Sequence, residues 1–135
     1  MEADALVSAA LTAIPRANVV ALIDLPSGMF LAVQPERDNT AALDLFAASI
    51  KEIYEGDLSQ GLRAAGLNGP AGASDTQDER INLFVISGDG ALHVMVRMQA
   101  QPNLVLAVCC PASANIGMSL VKVRHLAMTY EIEGV

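Results

Sequence analysis

The apolar segments of this chain are apolar on both faces of an extended backbone, and no other feature constrains the fold as much. In "NVVALIDL", residues 18–25, Val19, Ala21 and Ile23 would point one way and Val20 and Leu22 the other, because successive side chains of a strand leave on opposite sides. "INLFVIS", residues 81–87, repeats the pattern with Leu83 and Val85 against Phe84 and Ile86. A half-solvated strand alternates apolar with polar, whereas strands like these need cover above and below. The chain is therefore expected to fold as a sheet with helices on both sides.

Three further segments read as strands: "MFLAVQ", "ALHVMVRMQ" and "LVLAVCC". Pro26-Ser27-Gly28 joins the first pair and Gly88-Asp89-Gly90 the second, the Asp-Gly step being a strong hairpin signal. Pro102-Asn103 marks another turn, and Pro111 ends the last strand. Around them lie three helical patterns. Residues 3–14 carry Leu6, Ala10 and Ile14 at helical spacing and stop at Pro15. Residues 40–54 follow Asp38 or Asn39 as a cap, with a stripe of Leu43, Phe46, Ala47, Ile50 and Tyr54. The last pattern starts after Asn115 or Ser113 and places Ile116, Leu120, Val123, Ala127 and Tyr130 on one side. Opposite that stripe fall Lys122, His125 and Thr129, while Val121 and Met128 lie off it. Lys122 and His125 read first as a solvated face, and Val121 and Met128 either pack on the first helix or contact a partner. Val121, Lys122, His125 and Met128 are the candidate surface for one.

Residues 57–79 are less regular. "LSQGLRAAG" has the makings of a short helix, and "LNGPAGASDTQDE" is dense in Gly, Ala and Asp. The whole stretch is expected to be a flexible loop inside one domain spanning 1–135, since neither flank could fold alone. Five strands and three main helices make an α/β domain with a mostly antiparallel sheet. Three helices must be divided between two faces, and one helix cannot cover five strands. The uncovered remainder argues for a dimer.

Charge and composition exclude several function classes. With a net charge of −7, the chain is a poor match for a nucleic-acid backbone. No Asp or Glu occurs between Asp89 and Glu131, but Arg97, Lys122 and Arg124 are too few charges to reverse that reading. No apolar run is long enough for a membrane span, and the N-terminus lacks a basic leader, so a cytoplasmic location is expected without membrane insertion. Cys109 and Cys110 are adjacent; on a strand they face opposite ways, which argues against a bridge between them, and two neighbouring thiols match no zinc pattern. No metal and no cofactor are expected.

Catalytic chemistry finds little footing. A thiol and a histidine can act as nucleophile and base, but nothing in the sequence sets His93 or His125 beside either cysteine. Gly61 and Gly66 have the spacing of a phosphate-binding loop, yet Leu67-Asn68 stand where Lys-Ser/Thr is required. A non-catalytic interaction module is the leading reading. A small-molecule sensor with a Met-rich interior (Met95, Met98, Met118, Met128) is second, and a thiol enzyme third.

The order of elements also resembles a known family. "VVALIDLPSGMFLAV", "INLFVISGDGALHVMVRMQAQPNLVLAVCC" and "ANIGMSLVKVRHLA", with its Asn-aliphatic-Gly helix opening, are similar to the roadblock (dynein light chain-like) family, especially its bacterial single-domain members. The resemblance covers nearly the whole chain outside residues 57–79. It implies a profilin-like three-layer α/β/α sandwich with strand order 2-1-5-4-3. It implies a homodimer, or a heterodimer with a related chain, built by pairing the third strand (Ile81, Leu83, Val85) and packing the second helix (Leu43, Phe46, Ala47, Ile50, Tyr54). It further implies a scaffold or regulator of a small Ras-like GTPase, some relatives accelerating GTP hydrolysis.

Overall fold

The computed structural model describes residues 1–36, 40–66 and 81–135. Its elements run α1 (Ala3–Ala13), β1 (Val19–Asp24), β2 (Met29–Gln34), α2 (Thr40–Glu55), α3 (Asp57–Ala64), β3 (Leu83–Ser87), β4 (Ala91–Arg97), β5 (Leu104–Pro111) and α4 (Ile116–Thr129). The five strands form one sheet in the order β2-β1-β5-β4-β3, and every neighbouring pair is antiparallel. This is the profilin-like order that the family resemblance implies, with three main helices and a short fourth.

β1, β4 and β5 bury both of their faces, whereas β3, at the end of the sheet, is only half-buried and leaves Ile86 44% exposed. Val20 and Leu22 of β1, Leu92 and Val94 of β4, and Leu106 and Val108 of β5 belong to one core. That core is closed by Leu6, Val7, Ala10 and Ile14 from α1 and its end, and by Val123, Leu126 and Ala127 of α4. Ile23, Met95, Val105 and Ala107 belong to a second, smaller core under Ala47, Ile50 and Tyr54 of α2. Each large aliphatic side chain so buried contributes about 1.5–3 kcal/mol. One face thus has two helices across it and the other has α2, with α3 packed beside α2.

Local chemistry fixes where α2 lies. In the β1–β2 turn, Asp24 Oδ2 accepts from Ser27 N at 3.3 Å and from Ser27 Oγ at 2.6 Å. Gly28 closes that turn at φ +67, a conformation L side chains rarely adopt. Lys51 Nζ then donates to the Leu25 carbonyl at 2.9 Å and pairs with Glu55 at 2.7 Å. The C-terminal half of α2 is tied to the turn in this way, and its N-terminal half reaches across the sheet towards the start of β1.

Several expectations need correction. The stretch bounded as a loop from residue 57 begins as helix α3, Asp57–Ala64, the short helix for which "LSQGLRAAG" has the makings. Residues 67–79 of that loop, like the proposed caps Asp38 and Asn39, lie outside the described residues. Ile81 precedes β3 instead of opening it. On α4, Ile116 is 45% exposed, and Ser119 and Leu126 take buried places that the expected stripe does not include. In this orientation Ser119 Oγ sits 4.0 Å from Cys110 Sγ over β5. Among the proposed caps of α4 it is Asn115 that serves, its Oδ1 accepting from Met118 N at 3.0 Å. Two more, on α2 and on His93 with Cys109, are given below.

Candidate functional site

The residues assigned to a dimer seam divide into two groups. Ala47, Ile50 and Tyr54 are at most 2% exposed and pack on the chain's own sheet. They cannot at the same time face a second copy, and the seam assignment is corrected for these three. The stripe of α2 is apolar as expected, but it is consumed by the second core. The side of α2 facing away from the sheet is built from Ala41, Leu45, Ala48, Ser49 and Glu52, all exposed, with Leu45 at 70%. Leu43 and Phe46 are half-buried at the flank of the helix. Leu83 and Val85 pack partly against the larger core and Ile81 against the smaller one. β3 is the last strand of the sheet, so its outer backbone edge has no strand neighbour among the described residues.

The four residues assigned to a partner surface on α4 are all exposed, Val121 by 64% and Met128 by 62%. Met118, 45% exposed, completes a row with Val121, His125 and Met128. Steps of three, four and three keep these side chains on one side of a helix.

Arg97 is the one cation of the 90–130 stretch that the fold buries, at 8% exposure. Its Nε donates to the Ile81 carbonyl at 3.1 Å and its Nη1 to the Pro102 carbonyl at 2.6 Å, and its guanidinium lies 5.0 Å from the centre of the Tyr54 ring. It clamps the approach to β3 onto the β4–β5 turn. Tyr54 donates its hydroxyl to the Asn82 carbonyl at 3.2 Å. Burial pushes its pKa well above the ordinary 10.0, and the guanidinium offsets part of that shift.

The smaller core leaves part of its face open. A cleft of about 530 Å³ lies between the N-terminal half of α2 and the sheet, lined by Val19, Ala21, Leu43, Phe46, His93 and Cys109 among others. This is the remainder that one helix fails to cover. His93 and Cys109 are direct partners in the β4–β5 register, so their side chains leave the same face of the sheet. That overturns the expectation that nothing sets a histidine beside a thiol. The sequence carries no signal for it because the pairing depends on the register of β4 on β5, and a slip of one residue would have set Cys110 across from His93. Cys110 faces the other way, fully buried in the larger core. Its pKa is raised by burial, while the Ser119 hydrogen bond and Arg16 act in the opposite direction. His125 is exposed on α4. Among the described residues no cluster of three or more His, Cys, Asp or Glu could hold a metal ion.

Known structures share this architecture. A Roadblock/LC7 domain from Streptomyces avermitilis superposes with a TM-score of 0.66 at 21% identity, over 94% of this chain and 92% of that one. The gliding protein MglB of Thermus thermophilus gives 0.64 at 17% identity, over 91% and 81%. Myxococcus xanthus MglB gives 0.60 at 17%, over 93% and 85%. No protein-family model and no curated protein matches the sequence. Element order, sheet topology and near-complete coverage agree, and the chain has the roadblock fold.

Proposed function

We propose that the protein is a non-catalytic dimeric scaffold that binds and regulates a small Ras-like GTPase in the cytoplasm. The observation that carries this reading is the likeness to the Roadblock/LC7 domain and the two MglB structures over at least 91% of this chain. The role itself is the one the roadblock resemblance implies. Three features of the chain support it. The outer edge of β3, which has no strand neighbour among the described residues, can pair with a second β3, the usual way an edge strand is covered. The outward side of α2 sets Leu45 among the small residues Ala41, Ala48 and Ser49, which lets a second helix approach closely. No loop of the sequence has the Lys-Ser/Thr that cradles phosphates, so any GTP chemistry belongs to the partner.

In this reading a dimer forms through β3 and the outer side of α2, as homodimer or with a related chain. The row Met118, Val121, His125 and Met128 on α4, with Lys122 beside it, then remains for the GTPase. Among the described residues no helix is long and apolar enough to cross a membrane. The test is recovery from native lysate on the immobilised protein, with a non-hydrolysable GTP analogue or with GDP. The expected result is a Ras-like GTPase retained in one nucleotide state and lost when Val121 and Met128 are both changed to Asp. Absence of any GTPase in both states would contradict the proposal.

A further inference from the structure

The cleft beside α2 holds two groups that a GTPase-binding role leaves unused. Cys109 and His93 stand opposite each other on β5 and β4, and both line the cleft. Directly opposed residues of an antiparallel pair keep their Cβ atoms about 4.5–5.5 Å apart, which brings an imidazole within reach of the thiol proton. An imidazole that takes this proton leaves a thiolate, the form in which cysteine attacks an electrophile.

The rest of the cleft decides which electrophile. Val19, Ala21, Leu43 and Phe46 make its lining predominantly apolar, and the Phe46 ring lies 6.5 Å from that of His93. A volume near 530 Å³ is in the range of small-molecule pockets. None of the described lining residues is an Asp, Glu, Lys or Arg that would pair with a charged electrophile, whereas a hydrocarbon chain gains from leaving water. Cys110 is the internal contrast: it has the same chemistry one residue away, but it is enclosed in the larger core with Ser119 as neighbour.

We propose that Cys109 is a site of S-acylation, its thiolate taking the acyl group of a long-chain acyl thioester whose hydrocarbon tail lies in the cleft. In this step His93 accepts the thiol proton, and Cys109 Sγ forms a bond to the acyl carbon. The bond from that carbon to the leaving sulfur breaks, and the proton passes from His93 to the leaving thiolate. One thioester replaces another, so no oxidant or reductant is required.

The experiment incubates the full-length protein with palmitoyl-coenzyme A, and separately with acetyl-coenzyme A, and follows intact mass and the modified peptide. One acyl group is expected, on Cys109, released by neutral hydroxylamine, and the palmitoyl donor should react the faster. Cys109→Ser should abolish the adduct and Cys110→Ser should leave it, with unchanged circular dichroism in both. His93→Gln should slow the reaction on the order of 10²-fold, the scale of a lost proton acceptor. No adduct, equal labelling of both cysteines, equal rates for the two donors, or an unchanged rate in His93→Gln would each overturn the proposal. None of these outcomes depends on GTPase binding.

Discussion

The two faces of the sheet are built from the same strands and finished differently. On one face α1 and α4 close over Val20, Leu22, Leu106 and Val108, and the resulting core includes twenty buried residues. On the other, α2 lies over Ile23, Met95, Val105 and Ala107, and the core includes eight. Among the described residues the second face has α2 alone across it, with α3 beside α2 and off the sheet, and the cleft and the outward side of α2 follow from that. A two-sided strand in a chain with too few helices leaves an unfinished surface.

The largest expected difference between the faces comes from charge placed on α2. Ile50→Asp puts a carboxylate into the smaller core, without a partner, and should cost several kcal/mol and leave the protein unfolded. Leu45→Asp, one and a half turns away on the outward side, should leave the fold intact within about 0.5 kcal/mol while separating a dimer seam. Urea unfolding with a size measurement distinguishes the two, and a monomer produced by neither would remove α2 from the seam.

Truncation gives the next effect. Leu22→Ala or Leu106→Ala on the two-helix face should lose about 2–5 kcal/mol, since both side chains are fully buried. Leu43→Ala on the cleft rim should lose under about 1 kcal/mol, as an open site already lacks neighbours on one side. Equal losses in denaturant titrations would mean that the second face is as well packed as the first.

A third prediction uses pH. Burial holds the Tyr54 proton well above the ordinary 10.0 in the folded protein. Above pH 10 the unfolded chain releases that proton while the folded chain keeps it, so stability is full below pH 10 and falls as pH rises beyond it. Tyr54→Phe should flatten this alkaline loss in thermal melts taken from pH 8 to 11, at a cost near 1 kcal/mol at neutral pH for the bond to the Asn82 carbonyl. The smallest effect belongs to the two-helix face. Asn115→Ala removes the cap of α4 and should cost about 1 kcal/mol by the same melts, with Asn115→Ser restoring most of it.

Much of the fold is legible in the sequence because strand and helix periods are local. Both hairpin turns, the breaks at Pro15 and Pro111 and the cap at Asn115 need only neighbouring residues to be read. The site is less legible, for two physical reasons. A helical stripe says which side of α2 is apolar but not whether it is buried by its own sheet or by a second chain, and Ala47, Ile50 and Tyr54 fall on the side of that choice opposite to the one expected. Cross-strand neighbours depend on register, which no single strand contains, so the His93–Cys109 pair becomes visible only in the sheet. The rotation of α4 escapes the sequence for a similar cause: Ser119 is small enough to sit against Cys110, so a polar residue takes a core position.

The central claim is that the outward side of α2 and the β3 edge are covered by a second copy of the chain. Light scattering at micromolar concentration tests it most directly. The account predicts a particle of twice the 14.1 kDa chain mass, reduced to one chain by Leu45→Asp with helix and strand content unchanged. A stable single-chain species of the unaltered protein across that range would contradict it.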